Sequence, residues 1–173
     1  MAASYQLPSF LDGVIERDAY VRWLRRKTIT HLKRDRNRGN TVADGAAYRI
    51  AIHEAVLRSN GVDEYTGSPL RWDLISQYDN DKSAANRRAY KREFYGLPTI
   101  DHVGDGLGPP DFVICAWQIN DAKHDQSYDE FIAMCRAVLN HHEKQIANNN
   151  AVHAEDGILS VQLENQPAAP SDG

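Results

Sequence analysis

Two short apolar runs with a glycine-rich segment between them restrict the fold of this chain more than any other feature. Residues 99–101 and 112–117 have the β-branched and aromatic content that is typical of strands. Residues 104–110 hold three glycines and two prolines, which favour a loop. One helical turn is expected soon afterwards, at 120–124. This part of the chain is therefore predicted to run strand, loop, strand, helix.

Most of the other regular structure is predicted to be helical. Apolar side chains that recur every three or four residues predict helices over 17–36 and from residue 41 or 44 to 58. A third helix is expected over 83–95, capped by a serine. A fourth is expected over 127–147, where Ser127 and Glu130 have the spacing of a capping box. The fold class that follows is α+β and mostly helical.

Two further segments have weaker patterns. Residues 70–75 resemble a strand in composition. The tail, 148–173, is rich in Asn, Ala and Pro and is expected to be flexible, although 158–163 could add a short strand or bind a partner.

The composition is that of a globular protein in a reducing compartment. The chain has 173 residues, of which 42% are hydrophobic and 25% are charged. We expect no membrane span, because no apolar run is long enough, and no secretory signal at the first residues. Cys115 and Cys135 are the only cysteines and are expected to be small buried side chains. A cytoplasmic location is predicted.

The net charge of −4 hides an uneven distribution. Residues 1–98 contain 17 Lys and Arg against 12 Asp and Glu, whereas residues 99–173 contain 3 against 12. The segments 22–38 and 82–92 together hold 13 of the 20 basic residues. Such clustering would suit contact with the phosphate backbone of a nucleic acid. A run of charged residues more often forms the solvent-exposed face of a helix.

The strand–loop–strand–helix segment also contains a set of polar residues with chemical potential. Asp101 and His102 end the first strand, Asp111 precedes the second, and Asn120 begins the helix. Carboxylate and amide oxygens are ligands for a hard divalent cation, and a histidine with a pKa near 7 can take a proton from water. Taken singly, each residue has an ordinary structural explanation, such as a surface hydrogen bond or a helix cap.

Residues 97–131 resemble the HNH, or ββα-metal, nuclease motif, and the turn Tyr65-Thr-Gly67 is weakly similar to the turn that often precedes it. The resemblance implies that Asp101 is the metal carboxylate, His102 the general base and Asn120 the second metal ligand. Asp111 stands where the family usually has Asn, a residue that braces the loop and helps to orient the histidine. A carboxylate there would raise the pKa of His102.

The resemblance also implies a cofactor. With oxygen ligands, Mg²⁺ or Mn²⁺ is expected. His124 follows Asn120 by four residues, so that both would project from one helical face, and some members of the family use a third ligand there. If His124 ligates, Zn²⁺, Ni²⁺ or Co²⁺ become competitive.

Together these observations predict a metal-dependent endonuclease that acts on DNA. Three regions are expected: a basic helical region over 1–62, an HNH-like core over 63–147 and the tail. A homodimer would be needed if a single site cuts both strands. Twelve residues are predicted to contact nucleic acid: Arg22, Arg25, Arg26, Lys27, Lys33, Arg34, Arg36, Arg38, Arg87, Arg88, Lys91 and Lys123.

Two other functions are compatible with the sequence. One is a non-catalytic nucleic-acid-binding or defence-associated module with a degenerate HNH site, which the substitution at Asp111 and the acidic second half favour. The other is a metal hydrolase that acts on a small phosphoester.

Overall fold

A computed structural model of the protein describes the backbone of residues 5–164 and the side chains of residues 5–148. Within this part of the chain the fold is α+β and mostly helical, with five α-helices and one antiparallel pair of strands. The prediction of an α+β, mostly helical fold is confirmed. Over the same residues, the structure contains no helix with the length and apolarity needed to span a bilayer.

The first two helices have the bounds that the sequence predicts. Helix α1 covers Arg17–Asn37 and helix α2 covers Gly45–Ser59. The Asp44 side chain caps α2 by accepting hydrogen bonds from two backbone N–H groups of its first turn. Asn60 ends α2 with a left-handed φ of 45°, which satisfies the backbone at the end of the helix.

The predicted hairpin is formed. Strand β1 covers Pro98–His102 and strand β2 covers Phe112–Ala116, paired so that His102 lies opposite Phe112. Helix α4 follows at once as Trp117–Lys123, so Trp117 belongs to the helix and not to the strand. Helix α4 packs against both strands, which produces the contiguous order β1, β2, α4.

One hydrophobic core joins the N-terminal helices to this hairpin. Its largest buried members lie on α1, α2, β1 and β2, and they include Tyr20, Leu24, Tyr48, Ile52, Ile100, Phe112 and Ile114. The helices therefore pack on the sheet, because each element has only one apolar surface to bury. Packing is continuous across the expected boundary at residue 62.

The segment 70–75 is not a strand. It contains a 3₁₀ turn, Trp72–Leu74, and its Trp72 ring is buried edge-on against Trp23. Burial of one large side chain, together with a hydrogen bond from Arg71 N to Gly96 O, holds this segment in a single turn.

Helix α3 covers Asn80–Glu93 and starts three residues before the predicted position. Its cap is Asp79, whose carboxylate accepts hydrogen bonds from the N–H groups of Asp81 and Lys82. The predicted cap, Ser83, lies inside the helix and its hydroxyl accepts a hydrogen bond from Tyr78.

The contacts divide the chain after Asp125 into two compact units. The second unit contains helix α5, Tyr128–Glu164. The predicted capping box is confirmed, since Ser127 N donates to Glu130 at 2.8 Å and Glu130 N donates to Ser127 Oγ at 3.3 Å. Helix α5 runs beyond the predicted end at residue 147, so the suggested strand at 158–163 is wrong. Residues 165–173 of the predicted tail lie outside the described residues.

Candidate active site

The end of β1 turns two polar side chains toward different neighbours. Successive residues of a strand point to opposite faces of the sheet. As a result, His102 meets α1, whereas Asp101 meets α4 and the turn that contains Tyr65. Both side chains are largely buried, with 9% of the His102 side chain and 10% of the Asp101 side chain exposed.

The His102 ring has a partner at each nitrogen. Nε2 lies 2.7 Å from Asp35 Oδ2, and Nδ1 lies 2.5 Å from an Nη atom of Arg34. A guanidinium has no lone pair to offer, so Nδ1 accepts from Arg34 and Nε2 carries the proton that is donated to Asp35. Burial lowers the pKa of His102, and the Asp35 carboxylate opposes this effect. The ring is therefore neutral, with its lone pair on Nδ1.

Asp35 is a residue that the sequence did not single out. Its side chain is 1% exposed, and Oδ2 accepts hydrogen bonds from both His102 Nε2 and the Tyr48 hydroxyl, each at 2.7 Å. Oδ1 is buried and makes no hydrogen bond within the described part of the chain; its nearest cation is Arg34, with Nε at 3.8 Å. Burial and this carboxylate raise the pKa of Tyr48, which keeps the phenol protonated as a donor.

Asp101 is held by a phenol and an ammonium group. Its Oδ2 accepts from the Tyr65 hydroxyl at 2.5 Å and lies 3.0 Å from Lys123 Nζ, while Oδ1 accepts from the backbone N–H of His102. The Lys123 side chain is only 7% exposed. The ammonium group therefore compensates the buried carboxylate directly.

A second buried carboxylate, that of Asp63, positions Tyr65. Its Oδ1 accepts from Tyr65 N at 2.9 Å and Thr66 N at 2.7 Å, and its Oδ2 accepts from Ala116 N at the end of β2. These bonds fix the turn 63–67 to the hairpin. The turn that showed only a weak family similarity thus places a phenol on Asp101.

Asn120 and Asp101, the two predicted oxygen ligands, lie on elements that pack against each other, α4 and β1. Asn120 is half-buried on α4, the helix that packs against β1. Within the side chains that the structure describes, no group of three or more His, Cys, Asp or Glu could hold a metal ion. The predicted pair would offer a cation one carboxylate and one amide oxygen, a small set of the kind that Mg²⁺ accepts because it retains several waters.

His124 does not share a helical face with Asn120, contrary to the prediction. Helix α4 ends at Lys123, and His124 adopts a φ of 54°, outside the helix. Its ring is 79% exposed and lies 3.5 Å from Asp125. The residue that α4 does present to Asp101 is Lys123, three positions after Asn120.

Asp111 does not orient the histidine ring. Its side chain is 59% exposed and forms an ion pair with Arg58 at 3.4 Å. Its backbone carbonyl accepts from Val103 N at 3.0 Å, which closes the loop between the strands. The contact of Asp111 with the loop is thus made by its backbone, and the carboxylate that contacts the His102 ring is that of Asp35.

The chain matches no protein-family model, no curated protein and no solved structure. The likeness to the HNH motif therefore remains a resemblance that rests on the motif residues.

Two of the twelve residues predicted to contact nucleic acid point inward. Lys123 pairs with Asp101, and Lys27 donates to Thr99 Oγ1 at 3.2 Å. Burial lowers the pKa of Lys27 to about 8. Nine of the others are exposed along α1 and α3: Arg22, Arg25, Arg26, Lys33, Arg36, Arg38, Arg87, Arg88 and Lys91. Arg34 is 44% exposed and contacts His102.

Helix α3 adds an open cavity to this basic surface. The cavity has a volume of about 530 Å³ and is lined by Arg87, Arg88 and Lys91 together with Ser83 and Tyr95. Arg87 has a φ of 45° inside the helix, so the helix is kinked where these side chains emerge. Three basic side chains around one cavity suit an anionic group.

The buried stripe of α1 contains the signal that would have identified Asp35. Tyr20, Leu24, Thr28, His31 and Asp35 are all buried and follow one another at three or four residues. The stripe therefore changes from apolar to polar as it reaches β1. Ile29, an apolar residue of the same helix, lies off this stripe and is 55% exposed.

Proposed function

We propose that the protein is a metal-dependent endonuclease of the HNH type, which hydrolyses phosphodiester bonds in DNA. The observation on which the proposal depends is the pair Asp101 and His102 at the end of β1, with α4 and its Asn120 packed against the same hairpin. The proposed general base and metal ligand are then adjacent residues of one strand, and their side chains leave opposite faces of its end.

The histidine has the protonation state that a general base needs. Nδ1 holds the lone pair and Nε2–H is donated to Asp35. In the proposed reaction, Nδ1 takes a proton from water as the water oxygen forms a bond to phosphorus. The bond between phosphorus and the 3′-oxygen breaks, and that oxygen leaves with a proton from solvent. By family resemblance the products are a 3′-hydroxyl and a 5′-phosphate.

Asp101 and Asn120 are the residues that would hold the cation. When bound, Mg²⁺ or Mn²⁺ would supply charge that stabilises the phosphate and the leaving oxygen. Lys123 must give up part of its contact with Asp101 or remain beside it as a second cation. The Tyr65 hydroxyl keeps the carboxylate in place in either case.

Arg34 controls access to the base. In the structure its guanidinium occupies the acceptor position of His102, and its side chain is 44% exposed. A phosphate is a stronger partner for a guanidinium than a neutral imidazole is. Binding of DNA would therefore draw Arg34 toward the phosphate and free Nδ1 for water.

A plasmid-nicking assay with Mg²⁺, Mn²⁺ or EDTA tests this proposal. We expect His102→Ala to abolish cleavage while DNA binding is retained, whereas Asp101→Ala and Asn120→Ala should weaken activity and shift its metal dependence. His141→Ala, in the second unit, is the matched control. Cleavage by His102→Ala at the wild-type rate would refute the assignment.

The second candidate is a non-catalytic nucleic-acid-binding module. It is favoured by the full set of partners at the site, since both ring nitrogens of His102 and both oxygens of Asp101 have one. Metal-independent, salt-sensitive DNA binding without nicking by the wild-type protein would support this function over the first.

A further inference from the structure

We propose that Asp35 is the positioning residue of the site, which acts through His102 by fixing the imidazole with its proton on Nε2 and its lone pair on Nδ1. The inference rests on the proposed function for its effect on catalysis. The position of the proton itself can be measured whether or not the protein cuts DNA.

The contacts around Asp35 hold its carboxylate against the His102 ring. Oδ2 is shared by the Tyr48 hydroxyl and His102 Nε2, each at 2.7 Å. The Tyr48 hydroxyl donates to Asp35 and has its own contact with Asn40 Nδ2 at 3.4 Å. The carboxylate is therefore held from two elements, α1 and α2, while it contacts a third, β1.

The loop between the strands completes the enclosure. Asn40 Nδ2 donates to Gly106 O at 2.7 Å and Gly108 O at 2.9 Å, which draws the loop against the end of α1. A Cβ on Gly106 would lie 3.2 Å from His102 Cδ2 and 3.4 Å from Asp35 Oδ1. The loop backbone thus closes over the contact between the two side chains and excludes water from it.

The unsatisfied oxygen of Asp35 indicates a role in reactivity more than in stability. Oδ1 is buried without a hydrogen bond from any described residue, and such a charge destabilises a fold. An amide of the same size would keep an oxygen for the two donors and would remove the buried charge. A carboxylate is needed only if negative charge at Nε2 matters, as it does when Nδ1 takes a proton and the ring becomes an imidazolium.

Asp35→Asn tests the inference, because it removes the charge and keeps the size of the side chain. Asp105→Asn is the matched control: it removes a carboxylate from the neighbouring loop, and its side chain still accepts from Leu107 N as Asp105 does. For each full-length protein, kcat, KM for a short DNA duplex, stability to urea and the ¹⁵N and ¹H signals of the His102 ring would be measured. The His102 signals are assigned by their loss in His102→Ala.

We expect a hydrogen-bonded proton on Nε2 of His102 in the wild type, and a shift of its signal in Asp35→Asn. We also expect kcat to fall by on the order of 100-fold or more, with KM within about twofold and stability equal to or above that of the wild type. Asp105→Asn should match the wild type in every measurement.

Four results are decisive in different ways. A proton on Nδ1 in the wild type, or an unchanged kcat in Asp35→Asn, would overturn the inference. A decrease in kcat that follows a decrease in stability would also overturn it, since Asp35 would then be only structural. If the wild type cuts no DNA, the proposed function fails, whereas the Nε2 signal and its shift in Asp35→Asn still decide the positioning role.

Discussion

The ammonium group of Lys123 lies 3.0 Å from the carboxylate of Asp101, and fewer than a tenth of the Lys123 side chain is exposed. Lys123 is three residues after Asn120 on the same short helix, and it is the α4 residue whose side chain reaches this carboxylate. A lysine at this position neutralises Asp101 when no cation is bound. In the proposed site, a metal ion and Lys123 would share one buried negative charge.

Lys123→Met is expected to destabilise the protein and to make its stability depend on divalent cations. Removal of one partner of a buried ion pair leaves an uncompensated charge, which costs about 3 kcal/mol. In urea unfolding, MgCl₂ should recover part of this stability and should stabilise the variant more than the wild type. Lys33→Met, at an exposed position on α1, is the control and should behave like the wild type. Equal stability of Lys123→Met and wild type without metal would contradict the role of the pair.

Gly106→Ala should impair catalysis, whereas Gly104→Ala should not. Both glycines have a left-handed φ, +75° and +84°, so each substitution lowers stability by about 1 kcal/mol through backbone strain. Only at Gly106 would the added methyl press on His102 and Asp35; a Cβ on Gly104 meets nothing within 4 Å. We expect nicking by Gly106→Ala to slow on the order of tenfold. Equal rates for the two variants would show that the loop does not hold the histidine.

The stability of the protein should fall in mild acid because of His31. Burial is the main reason that its pKa is lowered to about 2, against 6.5 for the unfolded chain. Between these pH values the unfolded state binds a proton at His31 and the folded state does not. The free energy of unfolding therefore decreases as the pH falls below 6.5. At pH 5 the decrease amounts to about 2 kcal/mol for this one group.

His31→Asn is the variant that checks this prediction. Asn keeps an acceptor near the position of Nδ1, to which Arg34 donates at 3.2 Å, and it does not titrate. Between pH 7.5 and pH 5, the free energy of unfolding in urea should decline less steeply for the variant than for the wild type. The difference in slope should correspond to about one bound proton. Equal slopes for the two proteins would mean that His31 binds a proton in the folded state as readily as in the unfolded state, which would contradict the prediction.

The basic residues of α1 and α3 should control DNA affinity by binding phosphates. Replacement of Lys33 and Arg36, or of Arg88 and Lys91, by Glu should weaken binding across all sequences. The slope of the logarithm of the DNA association constant against the logarithm of salt concentration is negative, and its magnitude should decrease by about 0.9 for each phosphate that is no longer neutralised. Arg136→Glu, on α5, is the control for the same change of charge. An effect of Arg136→Glu as large as that of the double replacements would refute the assignment of this surface.

Local chemistry in the sequence determined the secondary structure around the site. The bounds of α1 and α2, the hairpin, and the capping box of Ser127 and Glu130 depend on residues within a few positions of one another, and each was predictable. The adjacency of Asp101 and His102 likewise follows from the sequence. Two errors concerned helix bounds: Asp79 caps α3 in place of Ser83, and α5 extends past residue 147.

Only the tertiary structure decided which side chains surround these two residues. Asp35 is 67 positions from His102, and the two meet because α1 and β1 share a core. Lys123 faces Asp101, and His124 does not, because α4 ends one residue before His124 and packs on β1. The sequence specifies the groups that can react, but pairing between distant elements depends on how their apolar faces pack, and no local pattern encodes that.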